Sequence, residues 1–336
     1  MNHVDYLYEP AMSVTSPVKP SVKSSLKPAD IKHFTQRSNT AGWWMLIANW
    51  GLVAIAFALP IVWFHPITLV VSIVLLANRQ LGLSILMHEC AHYSLFESRA
   101  LNQNIGNYLC AAPVLASLDG YRKYHMEHHK LAGTDQDPDY PNYKNYPVSK
   151  ASMARKVLRD LIGLTAIKTL YATVLMRSGV LDYDLSYQNR KSTTKPTKLQ
   201  MAVNLLKSFR APIVVHLGLF SLLVVSGNAA FYGLWWVSYL TLYMLFLRIR
   251  NAAEHGSVPD LLDTDPLLHA RTTYASWWER LTVAPNFVNF HMEHHLRPSV
   301  PCYQLAAFHG FLKEKGIIER AEVAEGYPSV MRALTQ

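Results

Sequence analysis

The chain has 336 residues, half of them hydrophobic and only 16% charged, with a formal net charge of +9. That charge is distributed in a way that excludes a water-soluble domain: no Asp, Glu, Lys or Arg occurs from Ser38 to Asn78 or from Ala211 to Leu247. Cys90, Cys110 and Cys302 are odd in number and lack paired spacing, which excludes a disulfide framework or a thiolate metal site. A bilayer span takes ~20 apolar residues, so each uncharged window holds two helices and a tight turn.

Residues 1–37 are polar, rich in Pro, Ser and Lys, and read as a flexible cytosolic tail. The first apolar run begins near Ala41, too far from Met1 and too long for a secretory signal peptide, so insertion without cleavage is expected. Residues 38–336 form the membrane domain. Its first two spans are predicted at 42–64 and 67–87, broken at His65-Pro66, where proline cannot continue a helix. His65 is read as a solvated turn residue. Arg79, inside the returning helix, must face the bundle interior or water. Between 93 and 210 lie two apolar stretches, Ile105–Leu118 and Leu161–Met176. They are too short or too interrupted to span, and are predicted to lie in the interface. The acidic run Gly133–Asp139 resembles half of a calcium loop but lacks the later ligands, so turn and capping chemistry is expected there. The last two spans are predicted at 206–226 and 229–247, turning at Ser226-Gly227-Asn228, with His216 in a structural role. All 32 Lys and Arg lie outside the uncharged windows, so the tail, the central section and the C-terminal section are expected to share the cytosolic side. The predicted fold class is an all-α integral membrane protein with four transmembrane helices in two hairpins, plus interfacial helices.

Three short runs then concentrate the chemistry. His88-Glu89-Cys90-Ala91-His92 is followed by His125-Met126-Glu127-His128-His129, and the same pentapeptide recurs at His291-Met292-Glu293-His294-His295. Positions i, i+3 and i+4 share one helix face, so each run presents its imidazoles together. Eight of the fifteen histidines fall in these runs, and neutral imidazole is the commonest ligand for iron, zinc and copper. Taken alone, His88-Glu89-Xaa-Xaa-His92 matches the zincin motif of an intramembrane metalloprotease. Ligand counting opposes that reading, because a catalytic zinc takes three protein ligands and a water while eight imidazoles suit two metals. Neutral nitrogen ligation favours iron and oxygen chemistry. Glu89, Glu127 and Glu293 lie on other helical faces and are expected to orient imidazoles or to sit at the surface.

The pattern HxxxH, HxxHH, HxxHH resembles that of the membrane fatty acid desaturases, as does the stretch from Asn289 to Pro301 around the third run. The likeness covers about Trp43 to Phe311. It implies a four-helix stalk under a cytosolic cap, a centre of two irons, and O2-dependent removal of two hydrogens from an acyl chain. The ligands carried over are His88, His92, His125, His128, His129, His291, His294 and His295. The family places a further histidine after the fourth span. His255 lies there, sharing a helix face with Asn251 four residues earlier, and Arg248 and Arg250 fix the emergence of that helix at the cytosolic interface. His255 is therefore read as a ninth ligand and Asn251 as a water-mediated one. No His-Pro-Gly-Gly signature of a fused cytochrome b5 is found, so electrons are expected from a separate ferredoxin or cytochrome b5-like protein. A basic cytosolic surface suits an acidic donor. No haem, flavin or nucleic-acid partner is expected. The resemblance leaves open the acyl carrier (free acid, carrier thioester or glycerolipid) and the outcome, since related di-iron enzymes hydroxylate or release terminal alkenes. A bacterial inner membrane is the expected location.

Overall fold

A computed structural model describes residues 26–186, 192 and 195–336. Most of the tail read at 1–37 lies outside the described residues. Its inner end does not hang free: Leu26 and Ile31 are buried in a cluster with Phe308 and Leu312, and the Phe34 and Phe308 rings lie 5.4 Å apart.

The molecule is mostly helical. Helices α1 (Asn39–Val62) and α2 (Pro66–Ala91) are joined at Trp63–His65 and pack on each other. Helix α3 spans Leu118–Leu131, α4 Lys150–Leu161 and α5 Leu164–Ser178. Helix α6 covers Lys198–Val225, and α7 runs from Ala229 to His255 with a π-helical segment at Tyr239–Tyr243. The short helix α8 (His291–Leu296) and then α9 (Leu305–Glu314) follow. Four of these, α1, α2, α6 and α7, are long and apolar enough to cross a membrane.

Local chemistry explains the boundaries. Ser38 caps α1 by accepting from the Ala41 N–H at 3.2 Å. His65 caps α2: its Nδ1 accepts from the Ile67 N–H at 3.2 Å, and Thr68 Oγ1 accepts from the His65 N–H. The turn histidine is thus a helix cap. The helices outrun the uncharged windows that predicted them. Spans read at 67–87, 206–226 and 229–247 are observed as Pro66–Ala91, Lys198–Val225 and Ala229–His255. Charge marks where a helix leaves an apolar medium, not where its hydrogen-bond ladder stops, so the helices carry on into the charged flanks.

Helix α2 is the centre of the bundle: 61% of its apolar window is buried, against 11% for α6. Its polar side chains turn inward. Arg79 is buried, with Nε donating to Asn78 Oδ1 at 2.8 Å and Nη1 to Asn49 Oδ1 at 3.3 Å. That is the interior placement a charge within an apolar helix requires. Gly82 allows α1 to approach at this level, since a Cβ there would lie 2.2 Å from Asn49 Oδ1.

The chain is not wholly helical. Arg271–Tyr274 (β1) pairs in parallel with Glu322–Glu325 (β2), and Thr272 also bridges Phe290 in antiparallel sense. Two four-residue strands this far apart leave no local periodic signal, so the sequence reading missed them. Their position matters, because Phe290 immediately precedes α8.

Candidate metal centre

The three histidine runs and the end of α7 arrive at one place from four directions. His88 is in the last turn of α2 and His92 is its C-cap. His125, His128 and His129 lie on α3, started by Ser117, whose Oγ accepts from the Gly120 N–H. His291, His294 and His295 occupy α8, and His255 ends α7. Arg271 secures that last terminus. Its guanidinium, 1% exposed, donates to the carbonyls of Ala253, Gly256 and Ser257 at 2.7–2.9 Å, satisfying acceptors that a helix end leaves open.

Two groups form. The nitrogens of His88, His92, His125, His129 and His294 lie within 4.8 Å of one another, and so do those of His128, His255 and His295. His291 joins the second, with its Nε2 2.9 Å from His255 Nε2 and 3.1 Å from His295 Nε2. In the first group His294 Nε2 stands 2.9 Å from both His88 Nε2 and His129 Nε2. These contacts test whether a cation fits. His255 donates Nδ1–H to the His269 carbonyl at 2.7 Å, and His291 faces the Glu254 carboxylate through Nδ1 at 3.2 Å. A neutral imidazole protonated at Nδ1 carries a lone pair at Nε2. With both rings in that tautomer, two lone pairs face each other across 2.9 Å, an arrangement that a cation between them would satisfy. The donor set fits a metal in each group.

Burial keeps the imidazoles neutral. It lowers the His92 pKa to about 3, with His88 beside it adding to the effect. Burial likewise drives His125, His129, His291, His294 and His295 well below the ordinary imidazole range, with neighbouring imidazoles adding to it. These rings are neutral at pH 7. His128 goes the other way. Burial pulls it down, but the Asp137 hydrogen bond and the charges of Asp139, Asp137 and Glu254 outweigh that and raise it.

Carboxylates hold the imidazoles from outside. Glu89 Oε1 sits 3.0 Å from His88 Nδ1, while its Oε2 accepts from Ser94 Oγ and the Cys302 N–H, each at 2.8 Å. Both oxygens are occupied, so Glu89 orients a ring and is not placed to serve as the base of a zincin. Asp137 Oδ1 lies 2.8 Å from His128 Nδ1 and also accepts from the Asp139 N–H, so the acidic run performs both turn chemistry and ring positioning. Glu127 is a surface residue, 3.8 Å from Lys130. Glu293 bonds His309 Nδ1 and Thr272 Oγ1, tying α8 to α9 and β1 instead of holding a clustered ring. Glu254 and Asp137 were not singled out from the sequence as ring-positioning groups. The adjacency of Glu254 to His255 was the available signal for the first. His216 is apart from all this, bonded to Tyr232 Oη at 3.0 Å and stacked on Trp236. Asn251 accepts from Arg250 Nη1 at 2.8 Å and lines a cavity of about 630 Å³ that also reaches His88, His125, His128 and His291.

Four helices suited to a membrane, and eight imidazoles gathered in two groups that could hold metal with His291 against the second, define a membrane protein of the histidine-cluster type. A sequence profile described as fatty acid desaturase matches residues 63–323. The chain belongs to the fatty acid desaturase family, and with it to the oxidoreductases. It is similar to the dihydrorhizobitoxine desaturase of Bradyrhizobium elkanii, 22% identical over 250 residues, which make up 72% of this chain and 66% of that one. The match thus spans just under two thirds of that relative's length. It is also similar to the sn-1 oleoyl-lipid 12-desaturase of Synechocystis, 23% identical over 325 residues, or 91% of this chain and 86% of the relative.

Proposed function

We propose that the chain is an O2-dependent desaturase that places a double bond in a fatty acyl chain at a centre of two irons. The observation that carries this reading is the convergence of nine imidazoles in two groups, several with Nε2 atoms 2.9–3.2 Å apart, and with the Nδ1 atoms of His88, His128, His255 and His291 facing a carboxylate or a carbonyl. His88, His92, His125, His129 and His294 would hold one iron, and His128, His255, His291 and His295 the other. Asn251 would hold a water on the second, which has one imidazole fewer. Bound iron supplies the oxidising chemistry: one O2, two hydrogens from the acyl chain, and two electrons with two protons yield the alkene and two waters.

The protein's part is to position and to exclude. Glu89, Asp137 and Glu254 fix ring orientation from the rim. The apolar wall of Leu81, Ile85, Met87, Met244 and Leu247 seats hydrocarbon and keeps bulk water away. Electrons come from a separate acidic carrier drawn to the positively charged face. With four crossings, both ends of the described chain and the central section would lie on the cytosolic side, and all four histidine-bearing segments would share one face. The relatives' bacterial origin supports a bacterial inner membrane.

The test is expression in a host that supplies a ferredoxin, with metal analysis of the purified protein and mass spectrometry of host lipids and volatiles. Two irons per chain and a lipid fraction lighter by two hydrogens are expected. One zinc and no iron, or an added oxygen without loss of hydrogen, would refute the reading.

A further inference from the structure

The cavity that reaches the histidines has a lateral wall to which the proposed chemistry gives no role. On α7 it is lined by Tyr243, Met244, Leu247, Arg248, Asn251 and Glu254, one face of a helix over about 16 Å at ~1.5 Å per residue. Glu254 is the metal-side limit, 3.2 Å from His291, and Tyr243 is the deep limit, 2.9 Å from Ser84 on α2. The lateral wall comes from α4 and α5, and includes Arg159, Leu164, Thr165, Lys168 and Thr169.

Two features of that wall point to a ligand. The first is its outer surface. Leu164, Ile167, Tyr171 and Val174 recur at helical spacing along α5 and are all exposed, as are Leu158, Leu161 and Ile162 at the end of α4. Ile167 is 60% exposed and Tyr171 67%. Lys168 sits between this stripe and the cavity-lining side of the same helix. The second is charge. Arg248 is neutralised by Asp160, Nη2 to Oδ1 at 2.8 Å, and Arg250 by Glu254. Arg159 and Lys168 have no hydrogen-bond or ion-pair partner among the described residues, and both line the cavity. Two cations without partners among the described residues, at the edge of a slot of mixed polarity and beside an outward apolar stripe, are the environment of a lipid phosphate. Arg supplies the planar fork that grips phosphate oxygens and Lys a mobile point charge.

We infer that Arg159 and Lys168 seat the anionic phosphodiester head of a membrane glycerophospholipid whose acyl chain runs in this cavity past the histidines, and that they set headgroup selectivity. This rests on the desaturase reading but names its substrate class. The lipid reaches the slot sideways from the bilayer along α4 and α5, not from the aqueous side.

The test uses the full chain in nanodiscs of phosphatidylcholine. Dioleoyl phosphatidylglycerol, dioleoyl phosphatidylcholine and free oleate are compared as bound probes, and KM and kcat are then measured separately. Phosphatidylglycerol should bind about tenfold or more tightly than the zwitterionic lipid, whose phosphodiester is the same but whose choline cation the two side chains repel. Arg159→Gln with Lys168→Gln should erase the preference and raise KM while kcat and metal content stay unchanged. Lys130→Gln, remote from the cavity, should preserve it. Equal binding of the two phospholipids, survival of the preference in the double variant, or stronger binding of oleate than of phosphatidylglycerol would each overturn the inference. A chain that selects phosphatidylglycerol but desaturates nothing would remove the proposed function and leave this site standing. One that desaturates without regard to headgroup would do the reverse.

Discussion

Replacing Asp137 with Asn isolates what a carboxylate behind a histidine contributes. Asp137 Oδ1 lies 2.8 Å from His128 Nδ1 and 2.8 Å from the Asp139 N–H, and an amide oxygen can accept from both. The change therefore removes charge with little change of shape. His128 is the buried cluster ring whose pKa is raised, and the Asp137 hydrogen bond is the largest force opposing its burial. Without that charge the ring becomes a weaker donor to a cation. Loss of such an outer partner costs 10–100-fold in metal affinity, about 1.4–2.7 kcal/mol. Asp139, with Oδ2 3.8 Å from the same nitrogen, remains to compensate, which places the expectation near the lower end. Competition against a graded chelator, read by metal analysis, should show one equivalent released about tenfold more easily and the other unchanged, because His128 belongs to only one group. Two metals released together, or both retained as in the parent, would refute the division into two sites.

Further outcomes follow from other contacts. His255→Gln should lower metal content toward one per chain and abolish turnover, since His255 Nε2 lies 2.9 Å from His291 Nε2; wild-type values for both would remove it from the site. Gly82→Ala should lower the melting temperature in detergent, because its Cβ would meet Asn49 Oδ1 at 2.2 Å, and overpacking of this kind costs about 1–3 kcal/mol. An unchanged melt would mean that α1 moves aside freely.

The histidines were legible because imidazoles repeated at helical spacing have few uses, and the spans because bilayer thickness imposes length on uncharged windows. His255 was singled out by the family resemblance together with its position just beyond the fourth span. Glu254 and Asp137 could not be given their roles, because Glu254 faces His291 and not its sequence neighbour His255, and Asp137 meets His128 across a turn nine residues on. Glu127 and Glu293 hold equivalent places in the identical pentapeptides, yet one meets Lys130 and the other His309. The Arg271 anchor and the β1–β2 pair were invisible for a different reason. Each joins residues distant in the chain, and long-range pairing has no local period. Arg79 was readable only as facing away from lipid, toward the interior or water; its interior place and its partners Asn78 and Asn49 emerged from packing.

The strand pair has a consequence for biosynthesis. Thr272 bridges Phe290, the residue before α8, and β1 is itself held by Glu322–Glu325. A ribosome therefore delivers all nine clustered imidazoles before the segment that clamps their framework. Until β2 emerges, α8 lacks its backing, and the nascent chain holds its metal-binding rings as separate, loosely arranged sets. Loose sets bind reactive metal weakly, because the long-range contacts that close the site form last. The order of translation thus delays closure of the histidine cluster until the surrounding protein is in place.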